Sequence, residues 1–216
     1  AYHCVDDYDI ENIIIERQEH YNSDFDKIEI ISKVEFDKDN DWILFEVNYQ
    51  DNDLKSIKVA KNFIKKFPND IGEPKRQTEV RFTYDNENIY FGFKVYDSGA
   101  AISRSLKRDF GNEGNDVVGI MMDPLNKKTN GFYFLLSALN VQSEDQLSLS
   151  FQDKPTWSWD TKWFSATKNY GNYWIAEVAI PLKSLRFDPN QKYWGVNFLR
   201  IDAKHNEYST WTRVPT

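Results

Sequence analysis

Between Thr78 and Tyr96 apolar and polar residues take turns. In T-E-V-R-F-T-Y the side chains of Val80, Phe82 and Tyr84 fall on one face of an extended segment, and in N-I-Y-F-G-F-K-V-Y-D those of Ile89, Phe91, Phe93 and Val95 do the same. The polar D-N-E-N between them predicts a hairpin turn. The same period of two recurs at 116–123, 131–139, 146–151, 173–180 and 193–201, and Trp163 leads into a further extended run, W-F-S-A-T. P-L-K-S-L at 181–185 predicts one short helix. Seven or more strands separated by turn signals predict an all-β fold, an antiparallel β-sandwich with one or two short helices.

Upstream the pattern is less regular. D-I-E-N-I-I-I-E-R-Q-E-H-Y (9–21) offers Asp9 as an N-cap and Ile10, Ile13 and Ile14 at helical spacing, although I-I-I also suits a strand. Segments 28–36 and 42–49 have strand composition and flank the turn-rich D-K-D-N-D, so they predict a hairpin. S-I-K-V-A-K-N-F-I-K-K-F (56–67) has helical spacing and stops at Pro68, with a strand as the alternative. There are no repeats and no low-complexity linker. Charge separates the two ends: residues 1–53 hold 16 Asp and Glu against 4 Lys and Arg, and residues 54–216 hold 18 against 23. The expected organisation is an acidic N-terminal segment, 1–50, of helix or strands, with packing on the sandwich as one option, followed by the sandwich, 51–216.

Composition narrows the function classes. The 216 residues suffice for one full core, and 12 Tyr, 15 Phe and 7 Trp favour sheet over helix. Cys4 is the only cysteine, which excludes an intrachain disulfide and a cysteine-based zinc cluster. A net charge of −7 argues against general binding of a phosphate backbone and for a neutral or cationic ligand. The first residues lack a basic region followed by an apolar one, and no stretch approaches eighteen apolar residues. The expectation is a soluble chain whose targeting segment has already been removed.

Several stretches together resemble the carbohydrate-binding family 9 fold, within the DOMON-like group, as found at the N-terminus of large bacterial outer-membrane proteins. They are T-E-V-R-F-T-Y-D with I-Y-F-G-F-K-V-Y-D, R-D-F with N-D-V-V-G-I-M-M-D-P, G-F-Y-F-L-L-S-A-L-N-V-Q, W-D-T-K-W, W-I-A-E-V-A-I-P-L-K-S-L-R-F, W-G-V-N-F-L-R and N-E-Y-S-T-W-T-R-V-P. The resemblance spans roughly residues 57–216, by its matching order and spacing. It implies a jelly-roll-like sandwich, an extracytoplasmic setting in the periplasm, outer membrane or cell surface, and carbohydrate as partner. The chain departs from the family pattern in two places. Neither F-D-K-D-N-D-W nor N-D-L-K-S-I-K-V-A-K-N-F carries the expected glycine, and Asn140 stands where similar sequences often have Gly. Asn tolerates positive φ better than most residues, so the turn is expected to survive.

The candidate site follows from the tryptophans. Trp174 and Trp194 alternate with apolar neighbours and belong to the core. W-S-W-D-T-K-W (157–163) instead follows the polar turn Q-D-K-P-T, so it starts in a loop at one edge of the sandwich. Trp157 and Trp159 are the candidate stacking rings for a sugar's apolar face, with Trp157 the more exposed. The alternative is a loop plug, with Trp159 and Trp163 covering the open end of the sandwich and Asp160 accepting backbone N–H bonds. Arg108, Asp109, Asn115, Asp116 and Gln142 are the candidate partners for hydroxyls, or else they close turns and pair with one another.

Other chemistry finds less support. Calcium is compatible with D-K-D-N-D or with Asp123 and Asn126, but no D-x-D-x-D-G loop occurs; calcium does occur in the resembled family. There is no G-x-S-x-G elbow and no H-E-x-x-H, and His3, His20 and His205 are scattered. Met121 and Met122 invite a haem, but methionines in a sandwich strand are ordinary core fillers. The expectation is a non-catalytic carbohydrate-binding module without a cofactor. The alternative is a structural or protein-interaction domain of a larger outer-membrane or secretion-associated protein, docked on a barrel or a partner, with no sugar site.

Overall fold

A computed structural model describes residues 59–84, 87–110, 114–146, 159–188, 190 and 193–212, together with the backbone of 34–37, 42–46 and 147–148. In chain order the strands are β1 (Val34–Asp37), β2 (Trp42–Glu46), β3 (Val59–Ala60), β4 (Ile64–Phe67), β5 (Thr78–Tyr84), β6 (Asn88–Tyr96) and β7 (Val117–Asp123). There follow β8 (Asn130–Ser137), β9 (Gln142–Ser148), β10 (Phe164–Asn169), β11 (Tyr173–Pro181), β12 (Tyr193–Asp202) and β13 (Glu207–Thr210). One sheet runs β1-β2-β12-β7-β8-β9, with β13 continuing along β12 and β4 along β13; the other runs β10-β11-β6-β5-β3. Every pairing is antiparallel.

The fold is the predicted all-β sandwich, and its interior is built by the alternation seen in the sequence. Val80, Phe82 and Tyr84 of β5, Phe91 and Phe93 of β6 and Trp174, Ala176, Val178 and Ile180 of β11 face Val118, Ile120 and Met122 of β7, Phe134 of β8 and Trp194, Val196 and Phe198 of β12. Phe198 stands at the centre. It meets Phe82, Phe91 and Phe93 across the sandwich at 5.8, 5.9 and 5.9 Å and Trp211 at 5.4 Å. Each fully buried aromatic or aliphatic side chain of this kind stabilises the fold by about 1.5–3 kcal/mol. A smaller cluster, Phe110, Val117, Tyr133, Leu135 and Ile201, lies on the opposite face of the first sheet, so the loop that carries Phe110 is pinned across β7 and β8.

Several elements differ from expectation for identifiable reasons. Within 56–67 the chain forms β3 and β4, the strand alternative, and Asn62 at φ 64° interrupts any helical path between them. The helix expected at 181–185 is a single 3-10 turn, Leu182–Ser184. β9 begins at Gln142, four residues before the expected 146, because Q-S-E-D carries no apolar alternation. β13 was not anticipated. The N-terminal hairpin exists, with Val34 opposite Phe45, and β2 pairs with β12, so these strands lie in the first sheet. The helix expected at 9–21 lies outside the described residues. Among the described residues no helix is long and apolar enough to cross a membrane.

Candidate functional site

The sandwich closes on one side where β9, the edge of the first sheet, meets β10, the edge of the second. On β9, Gln142 and Glu144 pair with Leu136 and Phe134 and therefore point inward, where a carboxylate is unexpected. Glu144 has a side-chain exposure of 0%. Its ionic form is supported by three donors: Trp163 Nε1 at 2.9 Å, the Thr161 amide at 3.2 Å, and the Arg108 guanidinium in direct contact. Arg108 spreads over the rim. It donates from Nη1 to Gln142 Oε1 at 3.0 Å and from Nη2 to Asp160 Oδ1 at 2.8 Å and Thr161 O at 3.1 Å. Gln142 extends the network by donating to Ser165 Oγ at 2.9 Å and Trp163 O at 3.3 Å, and Ser165 donates to Asn140 Oδ1 at 2.8 Å. The two sheets are thereby stitched along this side.

Electrostatics split the two carboxylates. Burial pushes the Glu144 carboxyl above the usual carboxylate range, with Trp163, Thr161 and Arg108 only partly offsetting it. Asp160, whose side chain is 80% exposed, is held low by its contact with Glu144 and by the Arg108 charge. Burial works against the Arg108 charge, but Glu144 and Asp160 outweigh it. The result is a cation 42% open to solvent beside a carboxylate more open still. Among the described residues Arg108 Nε–H makes no bond, and Asp160 beside it is solvated.

The residues singled out from the sequence fall into separate places. Arg108 and Gln142 meet in this cluster. Asp109 lies beside it, exposed, in a left-handed conformation (φ 58°), and contributes its backbone: its amide donates to Gln142 O at 3.1 Å and covers the free edge of β9. Asn115 and Asp116 are elsewhere and buried. Asn115 Oδ1 accepts from the Arg104 amide at 2.6 Å, while Asp116 accepts from the amides of Ile102 (2.6 Å) and Ala203 (3.1 Å) and from Arg200 Nη2 (3.1 Å). They fix the loop between β6 and β7. Trp157 lies outside the described residues. Trp159 is half-buried on Phe132 and Phe134, at 4.9 and 5.9 Å, and Trp163 is buried against Phe134 at 5.5 Å. Trp174 and Trp194 are core, 0% and 4% exposed, and Asn140 takes φ 62° in the turn before β9.

Glu144, Thr161 and Ser165 were not selected from the sequence. The one available signal was parity: once β9 is set in register with β8, a Glu opposite Phe134 must point inward. For metals, the Asp123 carboxylate accepts from the Leu125 and Lys128 amides at 3.2 and 2.7 Å and so closes the turn that contains Asn126. Among the described residues no group of three His, Cys, Asp or Glu is placed to hold a metal ion; of D-K-D-N-D, residues 38–41 lie outside them. His205 pairs with Asp202 at 2.8 Å, and Met122 is fully buried in the core.

Comparison with known proteins agrees with this architecture. Residues 52–214 match the family described as carbohydrate family 9 binding domain-like. No curated protein matches the chain in sequence. Among solved structures, a protein of Bacteroides uniformis ATCC 8492, provisionally described as carbohydrate-binding, superposes with a TM-score of 0.58 at 10% identity over 73% of this chain and 78% of its own. A carbohydrate binding module family 9 of Caldicellulosiruptor kristjanssonii in complex with glucose gives 0.53 at 13% identity, covering 78% and 85%. The family 9 module from that organism in complex with cellotriose gives 0.50 at 13%, covering 72% and 77%. At these identities the likeness is one of fold.

Proposed function

Because the chain belongs to the carbohydrate family 9 binding domain-like family, we propose that it is a non-catalytic, extracytoplasmic module that binds a glycan at the β9–β10 rim. The observation that carries this reading is the pairing at the rim of a partly open guanidinium with an open carboxylate, Arg108 with Asp160, the latter within the tryptophan-rich stretch 157–163. A planar donor beside an ionised acceptor suits two neighbouring hydroxyls of one sugar ring, the donor serving one oxygen and the acceptor the next hydrogen. An indole supplies the apolar counterpart for the C–H face, and Trp157 is our candidate for it. Trp159, half-buried on Phe132 and Phe134, is the second candidate ring.

Affinity in the micromolar to millimolar range is expected, about −8 to −4 kcal/mol. Titration calorimetry against mono- and oligosaccharides, glucose and cellotriose included, tests it, with Arg108→Ala and Trp157→Ala as controls. Heat for at least one sugar that both variants weaken supports the reading, and silence across the panel overturns it.

A second reading, a domain that docks on a barrel or protein partner, draws on the same network. Glu144, Gln142 and Trp163 are already satisfied internally, as a structural staple would be. A partner co-purifying from a full-length parent, together with a silent sugar panel, is the result that reading predicts.

A further inference from the structure

Two carboxylates share one cation at the rim. Glu144 points inward from β9 and is closed to solvent, while Asp160, in the loop before β10, has a side chain 80% exposed. Arg108 Nη2 donates to an oxygen of each, so a single nitrogen atom holds both groups side by side. The two side chains are also placed to hydrogen-bond to one another. Ionised carboxylates only accept hydrogen bonds, so a bond between these two requires a proton on one of them.

The balance of charge points the same way. With both acids ionised, two anions meet one guanidinium, and the anion inside the sandwich is the one that water cannot relieve. With one proton added, the three groups are neutral together. Burial, with Asp160 adding to it, raises the Glu144 carboxyl, whereas the open Asp160 is held low, so the proton resides on Glu144. Among the described residues Arg108 and Asp160 are the charged groups that face Glu144. Phe134 opposite it on β8, Gln142 on its own strand and Ser165 on β10 carry no charge. Lys162 lays its ammonium on Phe164 instead, 5.4 Å from the ring centre, and Asp109 is exposed and serves β9 through its amide.

We propose that Glu144 and Asp160 form a binding site for one proton, held between the two carboxylates and lost as pH rises, so that the rim passes from neutral to singly negative. The proton is taken from solvent through the open Asp160 and comes to rest on Glu144, whose O–H then donates to Asp160, while Trp163 Nε1–H still donates to Glu144 and Arg108 to Asp160. The two acids titrate as a pair, so a change at either one moves the other. One consequence rests on the proposed function. The Asp160 oxygen engaged by Glu144 is one that a sugar hydroxyl would otherwise use, so sugar binding at the rim weakens as the proton is taken up.

Carbon-13 NMR of the Glu144 carboxyl, with the Trp163 indole N–H followed in the same samples of the full chain as pH is raised, tests the proton site without any sugar. Both signals should report one midpoint above about 4.3, the ordinary glutamate value. Asp160→Asn should lower that midpoint, because it removes the neighbouring negative charge, and Arg108→Ala should raise it, because it removes the positive one. Glu144→Gln should abolish the indole titration, and circular dichroism confirms that each variant is folded. A buried carboxyl that titrates alone would ignore Asp160→Asn, and that result overturns the proposal. So does a midpoint at or below the ordinary value, or an indole that does not move. Calorimetry with glucose and cellotriose on either side of the midpoint reads the consequence: binding should be tighter above it, and affinity indifferent to pH overturns the regulation. Silence toward every sugar counts against the proposed function alone and leaves the carboxyl titration standing.

Discussion

Replacing Glu144 should distinguish a rim built around a buried carboxylate from one in which the arginine dominates. Glu144→Ala leaves Trp163 Nε1 without its acceptor inside a residue only 4% exposed, and also frees the Thr161 amide and the Arg108 guanidinium. Removing the buried member of such a pair costs about 3–5 kcal/mol, because the desolvation of what remains is no longer compensated. Glu144→Gln keeps one acceptor oxygen for Trp163 but turns an amide toward the guanidinium, so a loss of about 1.5–3 kcal/mol is expected. Arg108 is 42% exposed, and its removal leaves Glu144 two of its three donors; Arg108→Ala should cost only about 1 kcal/mol. Urea unfolding followed by tryptophan fluorescence, with the slopes held equal, gives all three. The reasoning fails if Glu144→Ala costs less than Arg108→Ala, or if Glu144→Ala and Glu144→Gln are indistinguishable.

Three further outcomes are expected. Asp116→Ala removes the acceptor of two amides and of the buried Arg200, and should cost about 3–5 kcal/mol in the same assay. Asp123 has its carboxyl raised chiefly by burial, so in the folded state it binds a proton more readily than in the unfolded chain. Its ionisation therefore costs nothing in acid, below its unfolded pKa, and costs stability once pH exceeds the raised folded value. Measured from pH 3 to 7, wild type should lose stability relative to Asp123→Asn as pH rises, and a gain would contradict the assignment. At Gly131 an added Cβ would stand 2.6 Å from Met122 O, a backbone atom of the adjoining strand, so Gly131→Ala should cost about 1–3 kcal/mol and lower the thermal midpoint.

On the proposed reading, the rim joins structural closure with ligand binding. An inward Glu on an edge strand is costly, and it is kept in place by Trp163, Thr161 and Arg108, contributed by segments far apart in the chain. The same contacts hold Arg108 in one orientation at the surface, and fixed orientation is what a hydroxyl-recognising group requires, since less freedom is lost on binding. Structural closure and a binding rim are therefore compatible uses of one network, and the Glu144 and Arg108 variants separate them: stability should follow Glu144, and sugar binding should follow Arg108.

The order of residues alone determined the two-layer β architecture, because alternation at 78–96, 117–123, 173–180 and 193–201 is a local property that survives without knowledge of partners. It also determined that Trp174 and Trp194 are buried and that Asn140 turns with positive φ. The first half of β9 escaped because its inward positions, Gln142 and Glu144, are polar, and their cost is met by partners on β10 and on the loops before β7 and β10. Asn115 and Asp116 looked equivalent to Arg108 in the sequence, yet folding buried them as loop anchors and left Arg108 at the rim. Only the packing of the two sheets decided this, since exposure and pairing depend on residues dozens of positions away.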